Sequence, residues 1–214
     1  MRVHLSTPQV MGRALSAIAA TAVAFAMLGS AAAAAPPVVR DHVASTGAGA
    51  TNTVCEGTIC TSTSVFVTVN NPDGASQACL YTSRYDKADM GPFPLGHEEG
   101  CATLANDAFS IDTKSLASAT LPRVNITVNA FTCDATGCQP AGTKTVAVRA
   151  TYTGVGDLMT FRSNSKSTFG GCSMYFVGKG SQREATATLT IDGRSLDALG
   201  SLFTSTQKVK VLCR

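Results

Sequence analysis

Residues 184–191 read Glu-Ala-Thr-Ala-Thr-Leu-Thr-Ile, and this stretch decides the class of fold. Apolar side chains alternate there with polar ones, which is the period of a β-strand that has one buried and one solvated face. The same period recurs around residues 65–69, 124–130, 146–150 and 208–211. We therefore predict an all-β protein in which antiparallel strands pack as a sandwich.

Turn and helix signals are short and sit between these alternating stretches. Residues 70–74 (Asn-Asn-Pro-Asp-Gly), 179–180 (Lys-Gly) and 192–193 (Asp-Gly) are typical of turns. Only residues 115–121 and 195–199 favour a helix, each with a serine as N-cap. The prediction is a strand-rich chain with at most two short helices.

The cysteines indicate a covalent framework. There are eight, at Cys55, Cys60, Cys79, Cys101, Cys133, Cys138, Cys172 and Cys213. Two pairs share the spacing Cys-x4-Cys. If residues 57–58 and 135–136 are two-residue hairpin turns, each pair occupies a non-hydrogen-bonded position where Cα atoms lie about 4.5 Å apart. A disulfide can bridge that distance, so we predict Cys55–Cys60 and Cys133–Cys138.

Elimination and chain order then pair Cys79 with Cys101 and Cys172 with Cys213. Eight cysteines allow 105 connectivities, so the sequence alone leaves the pattern open. An even count favours disulfides in an oxidising compartment. Zinc sites usually place two to four residues between paired cysteines, so four is at the edge of that pattern. We predict disulfides, with no metal site and no cofactor.

The first 34 residues have the layout of a secretory signal peptide. Arg2 and Arg13 precede an apolar run over 14–28, and an alanine tract over 31–35 follows. The apolar run is about 15 residues, shorter than the about 20 that a bilayer span needs. We expect cleavage after Ala33 or Ala34, no membrane span after cleavage, and secretion to the extracellular space. Residues 35–50 are predicted to be a flexible lead.

The second half of the mature chain echoes the first. Residues 110–116 resemble residues 190–196 at an offset of 80, and Cys133 and Cys213 lie 80 apart. A duplication explains this similarity. The alternative is that both segments follow the sequence pattern common to β-hairpins. We predict two related immunoglobulin-like modules in tandem, over residues 51–131 and 132–214.

Charge gives little indication of a partner. The chain has 17 Lys and Arg against 14 Asp and Glu, and loss of Arg2 and Arg13 leaves 15 against 14. A nucleic-acid-binding protein needs clustered basic residues that displace counterions. Along this sequence the basic residues are scattered, so we predict that nucleic acid is not a partner.

The sequence contains few residues whose type and spacing indicate catalysis. His97 lies beside Glu98 and Glu99 and is the best candidate for a general base. An exposed polar loop tip is the favoured interpretation. Asp86 and Asp89 are interpreted as solvated surface carboxylates, and no nucleophile elbow or phosphate-binding loop occurs. We assign no catalytic residue.

Aromatic side chains offer a candidate binding surface. Tyr81 and Tyr85 follow Cys79, and Tyr175 and Phe176 follow Cys172. Tyrosine is enriched at interfaces, yet such residues also fill sandwich cores, and packing is the preferred interpretation.

Several motifs together resemble a known kind of protein. They are Phe-Thr-Cys at 131–133, Val-Ala-Val-Arg-Ala-Thr-Tyr-Thr-Gly-Val-Gly at 146–156, Gly-Ser-Gln-Arg-Glu-Ala at 180–185, and the final cysteine. This order resembles uncharacterised secreted proteins of actinobacterial type over nearly all the mature chain. The resemblance implies secretion and an all-β fold, with no catalytic residues. The predicted hairpin disulfide Cys133–Cys138 is also similar to one in the enediyne antibiotic apoproteins. This resemblance implies a carrier of an apolar small molecule.

Three classes of function follow. The leading hypothesis is a secreted, disulfide-stabilised binding or interaction module without catalysis, whose partner is a cell surface, a protein or a small molecule. The second is a carrier of an apolar small molecule, which needs a concave cavity. The third is an extracellular hydrolase that uses His97, or a protease inhibitor that uses residues 86–100.

Overall fold

The computed structural model describes residues 39–71, 76–89, 93–105 and 107–213. The predicted signal peptide over 1–34 and the predicted turn over 72–74 lie outside these residues. Nine strands are present: β1 (Val39–Glu56), β2 (Ile59–Asn71), β3 (Gln77–Asp86), β4 (Gly96–Thr103), β5 (Ser110–Ile111), β6 (Ser118–Asp134), β7 (Gly137–Phe169), β8 (Cys172–Ile191) and β9 (Arg194–Cys213). The all-β prediction is confirmed.

All nine strands belong to one antiparallel sheet that closes on itself. The order is β4-β3-β2-β1-β9-β8-β7-β6-β5, and β4 also pairs with β6. Strands β1–β4 and β6–β9 are therefore two four-stranded meanders joined at both edges, at β1–β9 and at β4–β6. The short β5 pairs only with β6.

The core lies between the two meanders and is built from the alternating residues. Val65 and Val67 of β2, Ile126 and Val128 of β6, and Leu189 of β8 are fully buried. Their neighbours along each strand point to the opposite face, as Phe66 does at 45 % exposure. Buried side chains from both meanders meet in one cluster, which makes the fold sandwich-like.

The four disulfides join the cysteine pairs that hairpin geometry and chain order predict. They are Cys55–Cys60, Cys79–Cys101, Cys133–Cys138 and Cys172–Cys213, with Cα atoms 3.9 to 4.0 Å apart. Each meander has the same plan: one bridge staples its first hairpin beside the turn, and the other joins its third and fourth strands. Four disulfides suggest an oxidising, extracellular environment.

The two predicted hairpin turns have the expected register. Glu56 pairs with Ile59 and Asp134 pairs with Gly137, so each cysteine pair falls one step outward. The predicted turn at 192–193 is also present, because β8 ends at Ile191 and β9 begins at Arg194. Both turn residues have positive φ, as a type I′ hairpin requires.

Three local predictions are wrong. The described residues contain no helix: residues 113–115 form a turn, and residues 195–199 belong to β9. Residues 39–50 are not a flexible lead but part of β1, because β9 pairs with them along their length. Residues 179–180 continue β8 without a turn, and the turn forms instead at 170–171.

The tandem immunoglobulin-like arrangement is not confirmed. The predicted boundary at 131–132 falls inside β6, and the two meanders share one sheet and one core. The two similar segments, residues 110–116 and 190–196, also lie in different structural settings. Residue 112 accepts hydrogen bonds in a turn after β5, whereas residue 192 sits in a hairpin.

Four strands run past the core. We call residues 39–43, 158–169, 172–183 and 204–213 the extension. They are strand segments of β1, β7, β8 and β9, paired in the order β1-β9-β8-β7. No described side chain in the extension is buried. Within the part of the chain that the structure describes, both outer strands have an open edge, since pairing of β7 with β6 ends at Thr153 and pairing of β1 with β2 ends at Ala44.

Tyr152 is the largest fully buried side chain, and its hydroxyl has no hydrogen-bond partner within the described structure. Burial raises the pKa of this phenol well above its usual value. Above about pH 10 the unfolded chain loses this proton while the folded protein keeps it, so stability falls as pH rises.

We therefore expect Tyr152→Phe to raise the free energy of unfolding by about 1 kcal/mol at pH 7, because an unsatisfied buried hydroxyl is removed. The gain should grow between pH 10 and pH 12, by up to about 1.4 kcal/mol per pH unit. Urea unfolding of both proteins at pH 7 and pH 11 measures this. A variant less stable than the wild type at both pH values would contradict the burial of an unpaired hydroxyl.

Within the described residues there is no helix long and apolar enough to span a membrane.

Candidate functional site

His97 lies in strand β4 and not at a loop tip, so that interpretation is wrong. It pairs across the sheet with Ser83 of β3 and Phe131 of β6, at the seam where β4 and β6 close the sheet. Its ring stacks on Phe131 with centroids 4.5 Å apart and lies 6.1 Å from the ring of Tyr81. The seam positions His97 by packing.

The chemistry around His97 does not form a catalytic constellation. Its Nδ1 lies 3.7 Å from the Sγ of Cys133, and within the described chain this is its one recorded side-chain polar contact. Glu98 instead pairs with Lys144, with Nζ and Oε1 2.7 Å apart. General base catalysis needs a nucleophile in hydrogen-bond reach and a group that orients the histidine. The described contacts supply neither.

The same seam holds a cluster with metal-ligand types. One ligand atom each of His97, Cys133 and Cys138 lie within 4.8 Å of one another. The two sulfur atoms are bonded to each other in a disulfide. Because a thiolate is the form of cysteine that binds metal, the oxidised cluster is a staple and not a metal centre.

Several surface carboxylates accept hydrogen bonds that stabilise turns. Asp86, at the end of β3, accepts a hydrogen bond from the amide of Ala88. Hydrogen bonds from Ser115 hold the pKa of Asp112 below its usual value, and those from Thr136 do the same for Asp134. A carboxylate that accepts such bonds stabilises its turn in the charged form. Asp86 therefore has a structural role, in agreement with its interpretation as a solvated carboxylate, and Asp112 and Asp134 have the same role.

The basic residues that are scattered along the sequence meet on one face of the extension. We call Arg162, Lys166, Lys179, Lys208 and Lys210 the cationic face, since cross-strand register places all five on the same side of the sheet. Each of the five side chains is exposed. The described residues on this side of the extension include no Asp or Glu. The prediction that basic residues are not clustered is therefore wrong.

Two of these cations face each other directly. Arg162 of β7 is the cross-strand partner of Lys179 of β8. Like charges at directly opposite positions destabilise a sheet. The one ion pair recorded among the described residues is Glu98–Lys144, far along the sheet from this pair. The fold thus carries an uncompensated repulsion at an exposed surface.

An apolar strip runs from the centre of the cationic face toward the Cys172–Cys213 bridge. We give this name to Tyr175 and Val177, which lie among the cations, and Leu212, which lies one row beyond Lys210. With His42, Lys208 and Lys210 they border an open groove of about 710 Å³. Val177 is 53 % exposed although β8 is one of the two inner strands of the extension. The Nζ of Lys166 lies 5.3 Å from the centre of the Tyr175 ring, a cation–π arrangement. The site is therefore apolar in its centre and cationic around it.

The opposite side of the extension is uncharged in its described side chains. Phe161, Phe169, Met174 and Phe176 alternate with the residues of the cationic face along β7 and β8. The ring of Phe161 covers Gly180 of the neighbouring strand, where an added Cβ would lie 2.5 Å from the ring. An aromatic ring over a strand glycine stabilises a sheet that lacks a core. This contact stabilises the pairing of β7 with β8 in the extension.

The aromatic candidates therefore have different roles. Tyr175 belongs to the apolar strip, while Phe176 lies on the uncharged side, partly buried. Tyr81 packs toward His97 and is 38 % exposed. Tyr85 pairs with Cys60 across β2 and β3. Only Tyr175 joins basic residues at a surface.

A second open groove, of about 510 Å³, lies on the outer face of the closed sheet. Its walls are mainly threonines of β1, β7 and β8, with the exposed Leu199 of β9 at its side. Threonine is favoured on the solvated face of a strand. This threonine surface carries no charge cluster and offers a reference surface for binding experiments.

No family model, no curated protein and no solved structure matches this chain. Function is therefore inferred from the chain's own residues.

Proposed function

We propose that the protein is a secreted, non-catalytic binding module whose binding element is the extension. The observation that carries the proposal is the cationic face with its apolar strip. Exposed cations that repel one another destabilise the free protein, and the exposed Val177 leaves apolar surface in contact with water. A partner with negative charge and apolar groups relieves both costs.

The covalent framework supports a role outside the cell. Four disulfides cross-link both meanders, and the proposed signal peptide over residues 1–34 would direct export. Binding on rigid strands loses little conformational entropy, because the side chains are displayed on backbone that is already ordered. A stapled sheet is therefore suited to binding.

The other candidate functions find less support. A carrier needs an apolar cavity, but the space between the meanders is filled by buried side chains such as Tyr152, Leu121 and Leu202. A hydrolase needs a partner for His97 that the described contacts do not supply. An inhibitor needs a long exposed loop, and residues 96–100 of the proposed loop belong to β4.

A cell-binding experiment tests the proposal. The mature protein is added to washed cells of the organism that makes it, and the bound fraction is measured after sedimentation. We expect Val177→Glu to lower the apparent affinity at least tenfold, because a carboxylate is placed at the centre of the apolar strip. Leu199→Glu makes the same kind of change at a leucine 74 % exposed on the threonine surface.

Leu199→Glu should bind like the wild type. Equal binding by all three proteins would place the contact elsewhere and overturn the proposal, as would a larger loss for Leu199→Glu than for Val177→Glu. Both substituted side chains are exposed, so neither change disturbs the core.

A further inference from the structure

We infer that the partner of the cationic face is a membrane surface that contains anionic lipids, and that the protein binds it peripherally. This inference rests on the proposed function and names its partner. The observation behind it is the order of side chains across the strands of the extension.

Rows of paired residues show that order. In one row Lys166 of β7, Tyr175 of β8 and Lys210 of β9 are cross-strand neighbours. In the next row Val177 lies between Asn164 and Lys208. These two rows thus have an apolar centre with a cation at one or both sides, whereas the following row has Lys179 at its centre beside Arg162.

Distances within the face follow from sheet geometry. Neighbouring strands lie about 4.8 Å apart, and residues two apart along a strand lie about 6.8 Å apart. The five cations therefore surround an area of roughly 10 by 14 Å. This area is broad, and the groove along it is open and not enclosed, so it fits a surface better than a single small anion.

The apolar strip decides between a lipid surface and a soluble polyanion. A phosphate or carboxylate polymer would satisfy the cations but would leave Val177 and Leu212 in contact with charge. A bilayer interface offers anionic headgroups around the cations and acyl chains beneath the strip. Lysine side chains reach sideways to headgroups while their stems stay on apolar surface.

Tyr175 fits the same environment. Its ring is apolar and its hydroxyl is polar, which is the combination that favours membrane–water interfaces. Stacking of a nucleobase is disfavoured, because Lys166 already lies over the ring. The chemistry of this face therefore indicates a lipid surface over a nucleic acid.

Vesicle sedimentation tests the inference. The mature protein with all four disulfides is mixed with vesicles of phosphatidylcholine, or of phosphatidylcholine and phosphatidylglycerol at 7:3. Each cation near an anionic surface contributes about fivefold to partitioning. We expect binding to the mixed vesicles only, and its loss at 1 M salt, where the screening length is about 3 Å.

Paired variants distinguish the effect of the cationic face from the effect of the protein's net charge. Lys208→Gln with Lys210→Gln should lower the partition coefficient about 25-fold, since two cations are removed. Lys87→Gln with Lys114→Gln removes the same charge at two exposed lysines outside the extension and should stay within twofold of the wild type. Val177→Ser should weaken binding severalfold, because it shortens the apolar strip.

Other results would overturn the inference. One is equal loss in both lysine variants, and another is equal binding to vesicles with and without phosphatidylglycerol. A third is tight binding to inorganic polyphosphate that Val177→Ser does not change, which would assign the face to a soluble polyanion. If vesicles do not bind but Val177→Glu still abolishes binding to cells, the proposed function stands and only the lipid partner is wrong.

Discussion

Replacement of Cys172 and Cys213 by serine is expected to open the extension while the core stays folded. This bridge closes a loop of about 42 residues, for which loop entropy gives about 4 kcal/mol. The loss falls on the extension because none of its described side chains is buried, so little else opposes its opening. Amide exchange in residues 160–182 should accelerate up to about 1,000-fold, whereas exchange in residues 121–128 and 146–152 should not change.

Replacement of Cys55 and Cys60 by serine is the matched control. It removes a staple of the other meander, worth about 2 kcal/mol by the same relation, and should leave exchange in the extension as it is. If both variants accelerate exchange evenly along the chain, the extension is not a separate unit of stability. The four strand segments of the extension would then unfold together with the core.

Gly100→Ala is expected to destabilise the whole protein by about 2 kcal/mol. Gly100 follows the last residue of β4 that pairs with β6, at the seam that closes the sheet. An added Cβ would lie 2.0 Å from the carbonyl oxygen of Thr127, which is backbone and cannot rotate away. The strands must separate at the seam, a cost typical of overpacking. Urea unfolding measures the change.

Gly178→Ala provides the comparison for this prediction. Its added Cβ would lie 2.6 Å from the Oγ of Ser163, the end of a side chain that can rotate. We expect a change below about 0.5 kcal/mol. Equal destabilisation by the two substitutions would show that closure of β4 on β6 is not tighter than ordinary strand pairing.

The sequence predicts the class of fold and the two Cys-x4-Cys disulfides because these depend on local geometry, and the other two bridges follow by elimination. Alternation in residues 184–191 shows a strand, and Cys-x4-Cys around a two-residue turn places two sulfur atoms side by side. The closure of the sheet is not local. It depends on which distant strands, β1 with β9 and β4 with β6, have matching edges, and alternation within a strand carries no information on that choice.

The cationic face could have been predicted from the turns at 170–171 and 192–193, which set the register of β8 against β7 and β9. Counting outward from Gly170-Gly171 puts Lys166 opposite Tyr175 and Arg162 opposite Lys179. Gly-Gly between two alternating stretches is a hairpin signal, with positive φ at both residues. The Lys-Gly signal at 179–180 predicts a turn there and so gives a different register. The basic residues are scattered along the sequence, although the strands bring them together across the sheet.

The two short helices were predicted from serine caps and local composition. At residues 195–199 the turn at 192–193 overrides that preference, because it commits the following residues to pair with β8. Tertiary pairing commonly overrides weak helix propensity in short segments. Pairing likewise decides the structure of residues 44–50, whose small side chains fit the pairing with β9.

Hydroxyl-radical footprinting of the mature protein, free and bound to washed cells, tests the central claim that the extension binds its partner through the cationic face. We predict that Tyr175, Val177 and Leu212 are modified severalfold more slowly in the bound state, while Phe161 on the uncharged side and Leu199 on the threonine surface are modified at unchanged rates. Protection of Phe161 or Leu199, with Tyr175 and Val177 as reactive as in the free protein, would contradict the account.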